Sequence, residues 1–440
     1  RWTLDLRNGA VEQARTWVQR FEPERRLGLR AAACLLYEAL LTASKAPLGR
    51  GGERAWMAMT GGYDSRVLLH ALAEAGRKPE LAVTWGATDA EPNSDPPVAK
   101  ALAAAVGLSH RFLRYTAGGA ASHVAEWGVI SEFASDNPGY FAAGPLLLYE
   151  GSIPSADAIY IGDVVIASGG LPRTVRDALT PVLPGSFGRL QRPLERVLRT
   201  DVAVAGGAAF WNEAQRVVDA CPSMQPEDVQ DYLWTSVYNF RWLFSPGFYK
   251  EPMLTAWRPM LLGPAYDALA RIPARLRVYR RVYVEMVQRC LPPPFRRPRA
   301  EANSLVDWQY ESRADPALRG FLQASTQWNT LAATPIGELL DRSEFSALVA
   351  AYFSHSPQAM RRQPRGGALV ALRRRFAAAP MVADALRMGQ KVVGRRFGLS
   401  GEGGLGATRL LWRLSLLASL HRAVAAGAFT GENGVPPEGA

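Results

Sequence analysis

Between residues 55 and 76 an apolar run, a glycine pair and a second apolar run follow one another without a break. Ala55-Trp56-Met57-Ala58-Met59 has the length and composition of a buried strand. Thr60-Gly61-Gly62-Tyr63-Asp64-Ser65-Arg66 interrupts it with two glycines, which turn sharply and let a backbone approach another group closely. Val67-Leu68-Leu69 and Ala71-Leu72 then begin a helix that stops near Gly76. Strand, glycine turn and helix in this order point to an open α/β sheet.

The pattern continues downstream. Leu81 to Trp85 reads as a second strand, Pro97 to Val106 as a second helix starting near Asp95 and ending at Gly107, and His110 to Tyr115 as a short strand. Ala158-Ile159-Tyr160-Ile161 reads as another strand of the same sheet and ends at Gly162-Asp163. Ligands of open parallel sheets bind at the carboxyl ends of strands, where both Asp64 and Asp163 fall. Upstream, residues 11 to 46 carry helical patterning, and Ala31 to Ser44 reads as a buried helix despite Glu38. Beyond residue 185 the chain reads as mostly helical, with Pro292-Pro293-Pro294 and the arginine-rich 296–299 stretch marking a loop. The expected organisation is a helical lead-in or linker over 1–50, an α/β unit over 51–310, a helical region over 311–428 and a loose tail over 429–440.

Composition narrows the class of partner. At 440 residues, 48% hydrophobic and 21% charged, the chain has ordinary globular composition and room for two or three domains. Its uncharged apolar runs fall short of the roughly 18 residues a membrane helix needs, so no membrane span is expected. Cys34, Cys221 and Cys290 are odd in number and far apart in sequence, which gives neither a disulfide framework nor a zinc knuckle. A reducing compartment fits, no secretory signal opens the sequence, and the expected location is cytoplasmic. Cys34, in an apolar helix, is expected in the core. The net charge of +11 raises a nucleic-acid partner. Arg far outnumbers Lys, however, and no basic tract is interleaved with regularly spaced aromatics as in single-strand binders. A small-molecule partner is the expectation.

The loop itself suits an anion. Its glycines allow close backbone approach, the helix it opens presents unpaired amides, and Thr60 and Ser65 add hydroxyls. Asp64 alone repels a phosphate, but fits if Mg²⁺ lies between the two. The plainer reading is a glycine turn with an Asp/Ser helix cap. Neither the Gly-Lys-[Ser/Thr] of the P-loop nor a Gly-x-Gly-x-x-Gly after a strand occurs here.

Thr60-Gly61-Gly62-Tyr63-Asp64-Ser65 resembles the Ser-Gly-Gly-x-Asp-Ser loop of the PP-loop ATP pyrophosphatases, and within them the synthetase domain of the asparagine-synthetase-like amide ligases. Further segments match in order. Asp95-x-x-x-Ala99 through Gly107-x-x-His110 resembles the family's Asp-x-x-x-Ala…Gly-x-x-His-His, and Ile161-Gly162-Asp163 its second acidic motif. Trp257-Arg258-Pro259-Met260-Leu261 resembles its Arg-x-Pro-Phe-Leu-Asp, and Leu291-Pro292 before Arg297-Pro298-Arg299 its Leu-Pro…Arg-x-Lys. The likeness covers roughly residues 25 to 310.

The resemblance implies an α/β fold, an open parallel sheet of five-stranded type flanked by helices, with a helical C-terminal extension. It implies ATP and Mg²⁺: cleavage between the α- and β-phosphates, a substrate carboxylate carried as an acyl-adenylate, and attack by an amine. Thr60, Gly61, Gly62, Asp64 and Ser65 would hold pyrophosphate and magnesium, Asp163 would complete the metal site, and Met59 with Thr84-Trp85 would border the adenine. The carboxylate would belong to a small molecule, a sugar acid or a peptide, in surface-polysaccharide or secondary-metabolite biosynthesis.

Several positions depart from the pattern. Tyr160 stands where asparagine synthetases carry a glutamate; the β-lactam-forming relatives carry a tyrosine there that helps deprotonate the amine. A phenol of pKa about 10 needs a partner for that work, and Glu251 is the candidate. Arg299 replaces the family lysine that supports the charged transition state; it keeps the charge with a different geometry. Leu262-Gly263 occupies the region of the lost Pro-Phe-Leu-Asp aspartate, and His-His is reduced to His110-Arg111, where His110 reads as structural. The glutaminase domain of asparagine synthetases is not seen; either it precedes Arg1 in a longer protein, or ammonia comes from a separate source, or another amine attacks. An intramolecular cyclase of lasso-peptide or β-lactam-synthetase type, a degenerate ATP-binding protein and a tRNA-modifying PP-loop enzyme are the alternatives.

Overall fold

A computed structural model describes residues 2–4, 11–13, 19–45, 54–131, 133, 137–149, 158–163, 172–179, 193–236, 255–301, 305–355 and 402–428. Two short strands, β1 (Trp2–Leu4) and β2 (Val11–Gln13), pair antiparallel. The helix α1 (Leu29–Lys45) follows. Next come β3 (Ala55–Ala58), α2 (Tyr63–Glu74), β4 (Leu81–Gly86), α3 (Asp95–Ala104) and β5 (Ser109–Arg114). With β6 (Ala158–Tyr160) and β7 (Thr255–Trp257), strands β3 to β5 form one five-stranded sheet in the order β5-β4-β3-β6-β7. Every pairing in it is parallel, with Met57 opposite Tyr160 and Tyr160 opposite Trp257. The expected α/β class and parallel sheet are therefore observed.

Strand alternation sorts the core into two layers. Ala55, Met57 and Met59 face one side, with Ala82, Ala158 and Tyr160. There they meet buried residues of α1, α2 and α3, and of α4 (Gly263–Arg271) and α5 (Arg281–Cys290). Trp56, Val83, Leu113 and Ile159 face the other side. Beyond it, helices within 117–143 share a core with Leu318, Leu322, Trp412 and Leu416, so stretches on either side of residue 310 pack together. Among the described residues, no helix is long and apolar enough to cross a membrane.

Three local expectations change. Residues 11–13 are a strand rather than helix, and the described residues 19–28 are not regular helix, which begins there at Leu29. Two amides of 19–28 go elsewhere: Glu22 N–H donates to Ala270 O at 3.1 Å and Glu24 N–H to Arg271 O at 2.9 Å, fixing this stretch along the end of α4. Cys34 is exposed rather than core, because α1 buries Ala32, Ala33, Leu36 and Leu40 and turns position 34 outward. Its thiol meets that of Cys290, the last residue of α5; burial, together with Cys34, pushes the Cys290 thiol up to about 11. Finally, Thr255–Trp257 is an edge strand that three residues without alternation did not announce.

Candidate functional site

Strand order locates the crevice. From β3 the chain winds outward through β4 to β5, then returns to the other side of β3 to lay down β6 and β7. Connections from the neighbours β3 and β6 thus leave in opposite directions, and such a switch point opens a crevice at the strands' carboxyl ends. The segment after β3 is the Thr60–Ser65 loop, and the segment after β6 is Ile161-Gly162-Asp163. The two touch through backbone: a Cβ on Gly162 would stand 2.9 Å from Ser65 N and Cα and 3.0 Å from Asp64 C. Only glycine allows this approach, which seats the second acidic segment on the first turn of α2.

The loop is closed by its own hydroxyls. Ser65 Oγ donates to Thr60 O at 3.0 Å and accepts from Thr60 N–H at 3.2 Å, while Gly62 N–H donates to Thr60 Oγ1 at 3.2 Å. Ser65 is buried, so in this arrangement its hydroxyl shapes the loop. Gly61 N–H donates to Asp95 Oδ1 at 2.8 Å, at the start of α3, and burial raises the Asp95 carboxyl above its ordinary value. Gly61 itself is required for a neighbour: a Cβ there would lie 2.4 Å from the Ala300 Cβ.

Both acidic residues carry arginine partners. Asp64 Oδ1 accepts from Arg280 Nη2 at 2.5 Å, and Asp163 Oδ2 from Arg258 Nε at 3.0 Å. Arg258 is almost fully buried at the end of β7, with 3% of its side chain exposed. Arg280 reaches Asp64 from a strained backbone: Tyr279 and Arg280 have φ of 54° and 57°, in the left-handed region that costs a non-glycine residue roughly 1–2 kcal/mol. Its guanidinium lies 4.5 Å from the ring centre of Tyr283, whose phenol burial and the adjacent Asp64 hold well above the ordinary range. Arg299 comes from the segment after α5, and its guanidinium lies 5.1 Å from the Tyr63 ring centre; Arg66 covers the same ring at 5.0 Å. Among the described residues, two arginines thus pair with Asp64 and Asp163 while two more lie over Tyr63 in the loop.

The remaining sequence-predicted positions fall as follows. Met59 is buried in the core and its carbonyl accepts the Thr84 hydroxyl at 2.7 Å, so side chains of both residues are engaged inside and only their backbones reach the strand ends. Trp85 is half-buried against the second core layer. Thr84 Oγ1 has given its proton to Met59, so His110 Nε2, 2.9 Å away, is the donor to it. Burial, aided by Lys100, lowers the His110 pKa to about 4, and the neutral ring is a structural link between β4 and β5. Tyr160 is 8% exposed and belongs to the main core cluster, on the face of α1 and α5. Glu251 lies outside the described residues.

Sequence reasoning missed Arg280, Arg66 and the pairing role of Arg258. Arg280 and Asp64 are 216 positions apart, and nothing in Tyr279-Arg280 signals a left-handed turn. Arg258 did have a signal, the Trp257-Arg258-Pro259 segment already noted, although there the arginine directly precedes the proline. No protein-family model matches the chain, and no curated protein matches it.

Proposed function

We propose that the chain is an ATP-dependent carboxylate–amine ligase of asparagine-synthetase type, with a PP-loop fold. The observation that carries the reading is the meeting, at the sheet's switch point, of the Thr60–Ser65 loop with Gly162-Asp163, each with its aspartate paired to an arginine. The donor set fits both ligands. A polyphosphate calls for bidentate guanidiniums, which Arg280 and Arg299 would supply; the Thr60, Gly61 and Gly62 amides are bonded within the site. Mg²⁺ held with phosphates needs only one or two protein carboxylates, here Asp64 and Asp163.

Bound ATP would supply the adenylyl group that turns a substrate carboxylate into an acyl-adenylate, and Mg²⁺ would neutralise phosphate charge. The protein's part is electrostatic. Arg280, held over the loop by its own strained turn, would share its guanidinium between Asp64 and the departing pyrophosphate. Arg299 would stand in for the family lysine on the same leaving charge. Arg258 holds Asp163 in place through their ion pair. Tyr160 sits in the core layer, which weakens its expected role in proton removal and with it the β-lactam-type alternative.

A second reading, an ATP-binding protein without turnover, is favoured by one observation: both acidic residues are engaged by arginine. ATP–pyrophosphate exchange in the presence of candidate small-molecule, sugar-acid and peptide carboxylates separates the two. Carboxylate-dependent exchange supports the ligase; ATP binding with no exchange supports the second reading; no ATP binding removes both.

A further inference from the structure

Arg66 lies one turn inside α2, directly behind the loop, and is 0% exposed. An arginine side chain has five N–H donors. Here all five have a backbone carbonyl to go to. Nε donates to Gly62 O at 2.9 Å, and Nη2 to Gly61 O at 2.8 Å and to Pro298 O at 3.3 Å. Nη1 donates to Phe295 O at 3.0 Å and to Arg297 O. Two acceptors belong to the loop and three to the arm that follows α5 and carries Arg299. Two backbone bonds complete the docking of that arm, Ala300 N–H to Gly61 O at 3.1 Å and Glu301 N–H to Asn93 O at 2.8 Å.

The loop consequence follows from peptide geometry. A trans peptide is planar, so a carbonyl and the next residue's amide point in opposite directions. With the Gly61 and Gly62 carbonyls turned in to Arg66, the amides of Gly62 and Tyr63 must point away from it, the first of them toward Thr60 Oγ1 at 3.2 Å. The cation therefore fixes the direction of these two peptide dipoles and adds its own charge behind them. Burial lowers its pKa only to about 10, so it stays protonated at neutral pH.

We propose that Arg66 is the positioning residue of this site: through five backbone carbonyls it sets both the direction of the Gly62 and Tyr63 peptide dipoles and the place of Arg299 beside them. The inference rests on reading the loop and Arg299 as an anion site. Lysine cannot substitute, because three donors on a point charge cannot bridge five carbonyls.

The test uses the full chain with inorganic pyrophosphate and Mg-ATP as probes, comparing wild type, Arg66→Lys, Arg299→Gln and the double variant. Arg66→Lys is expected to weaken pyrophosphate binding about tenfold or more, and Arg299→Gln to cost much less in the Arg66→Lys background than in wild type. Hydrogen exchange is the second readout: amides of Ala300 and Glu301 should lose protection in Arg66→Lys while those in the body of α2 keep theirs. Additive losses in the cycle, or unchanged protection at 300 and 301, would overturn the proposal. If wild type binds neither probe, the anion-site reading fails by itself; loss of protection at 300 and 301 would then support the brace alone, and its retention would sink that too.

Discussion

Gly162 lies against the backbone of Ser65 with no room for a side chain: a Cβ would stand 2.9 Å from Ser65 N. Gly162→Ala must therefore separate β6 from the first turn of α2. The expected cost is about 1–3 kcal/mol, as for other overpacked sites, together with loss of ATP affinity. Denaturant titration and nucleotide binding on the same variant check this; full stability with full affinity would show that the contact does not build the site.

Arg258→Met removes the partner of Asp163 while keeping most of the buried volume. Breaking a buried pair leaves an uncompensated charge, and because Asp163 is partly open to solvent the loss belongs at the low end, about 2–3 kcal/mol. Asp163→Asn in the same background should recover part of it. A change in the urea midpoint equivalent to less than about 0.5 kcal/mol would mean the pair behaves as a surface ion pair.

Arg280 sets function against stability. Arg280→Gly relieves the left-handed backbone and should be more stable than Arg280→Ala by about 1 kcal/mol. Both variants should bind ATP more weakly, since each removes the guanidinium on Asp64. Thermal unfolding ranks the first effect and ATP titration the second. Equal melting temperatures would contradict the strain, and unchanged affinity would contradict the role.

These residues show what a sequence reveals and what it withholds. The strands at 55–58, 81–86, 109–114 and 158–160 were legible because short apolar runs bounded by glycine or charge leave few alternatives. The loop was legible because two glycines after a strand are hard to place otherwise. Arg280 was not, because its place depends on two left-handed residues and a partner 216 positions away. Arg66 was visible as a letter but not as a brace: its acceptors are carbonyls, which every residue carries and no pattern marks. Helical spacing misled over 19–28, where Glu22 and Glu24 give their amides to the end of α4 instead of to a local helix.

His110 gives a pH dependence with a definite sign. Its folded pKa of about 4 lies below the ordinary 6.5, so the unfolded chain binds the proton more readily. The stabilisation is complete above pH about 6.5 and is lost as pH falls from there toward 4. His110→Gln should flatten the stability profile across this window and leave its slope near pH 8 unchanged. A profile of unchanged slope would mean that His110 is not held neutral.

The central claim is that the crevice between β3 and β6 binds ATP and breaks it between the α- and β-phosphates. The most direct measurement is product analysis with ATP labelled on the α-phosphate, Mg²⁺ and the carboxylate panel, for wild type and for Asp64→Ala with its fold checked by circular dichroism. Wild type is expected to release labelled AMP and pyrophosphate, and Asp64→Ala neither. Labelled ADP with phosphate, or equal AMP release by the variant, would contradict the claim.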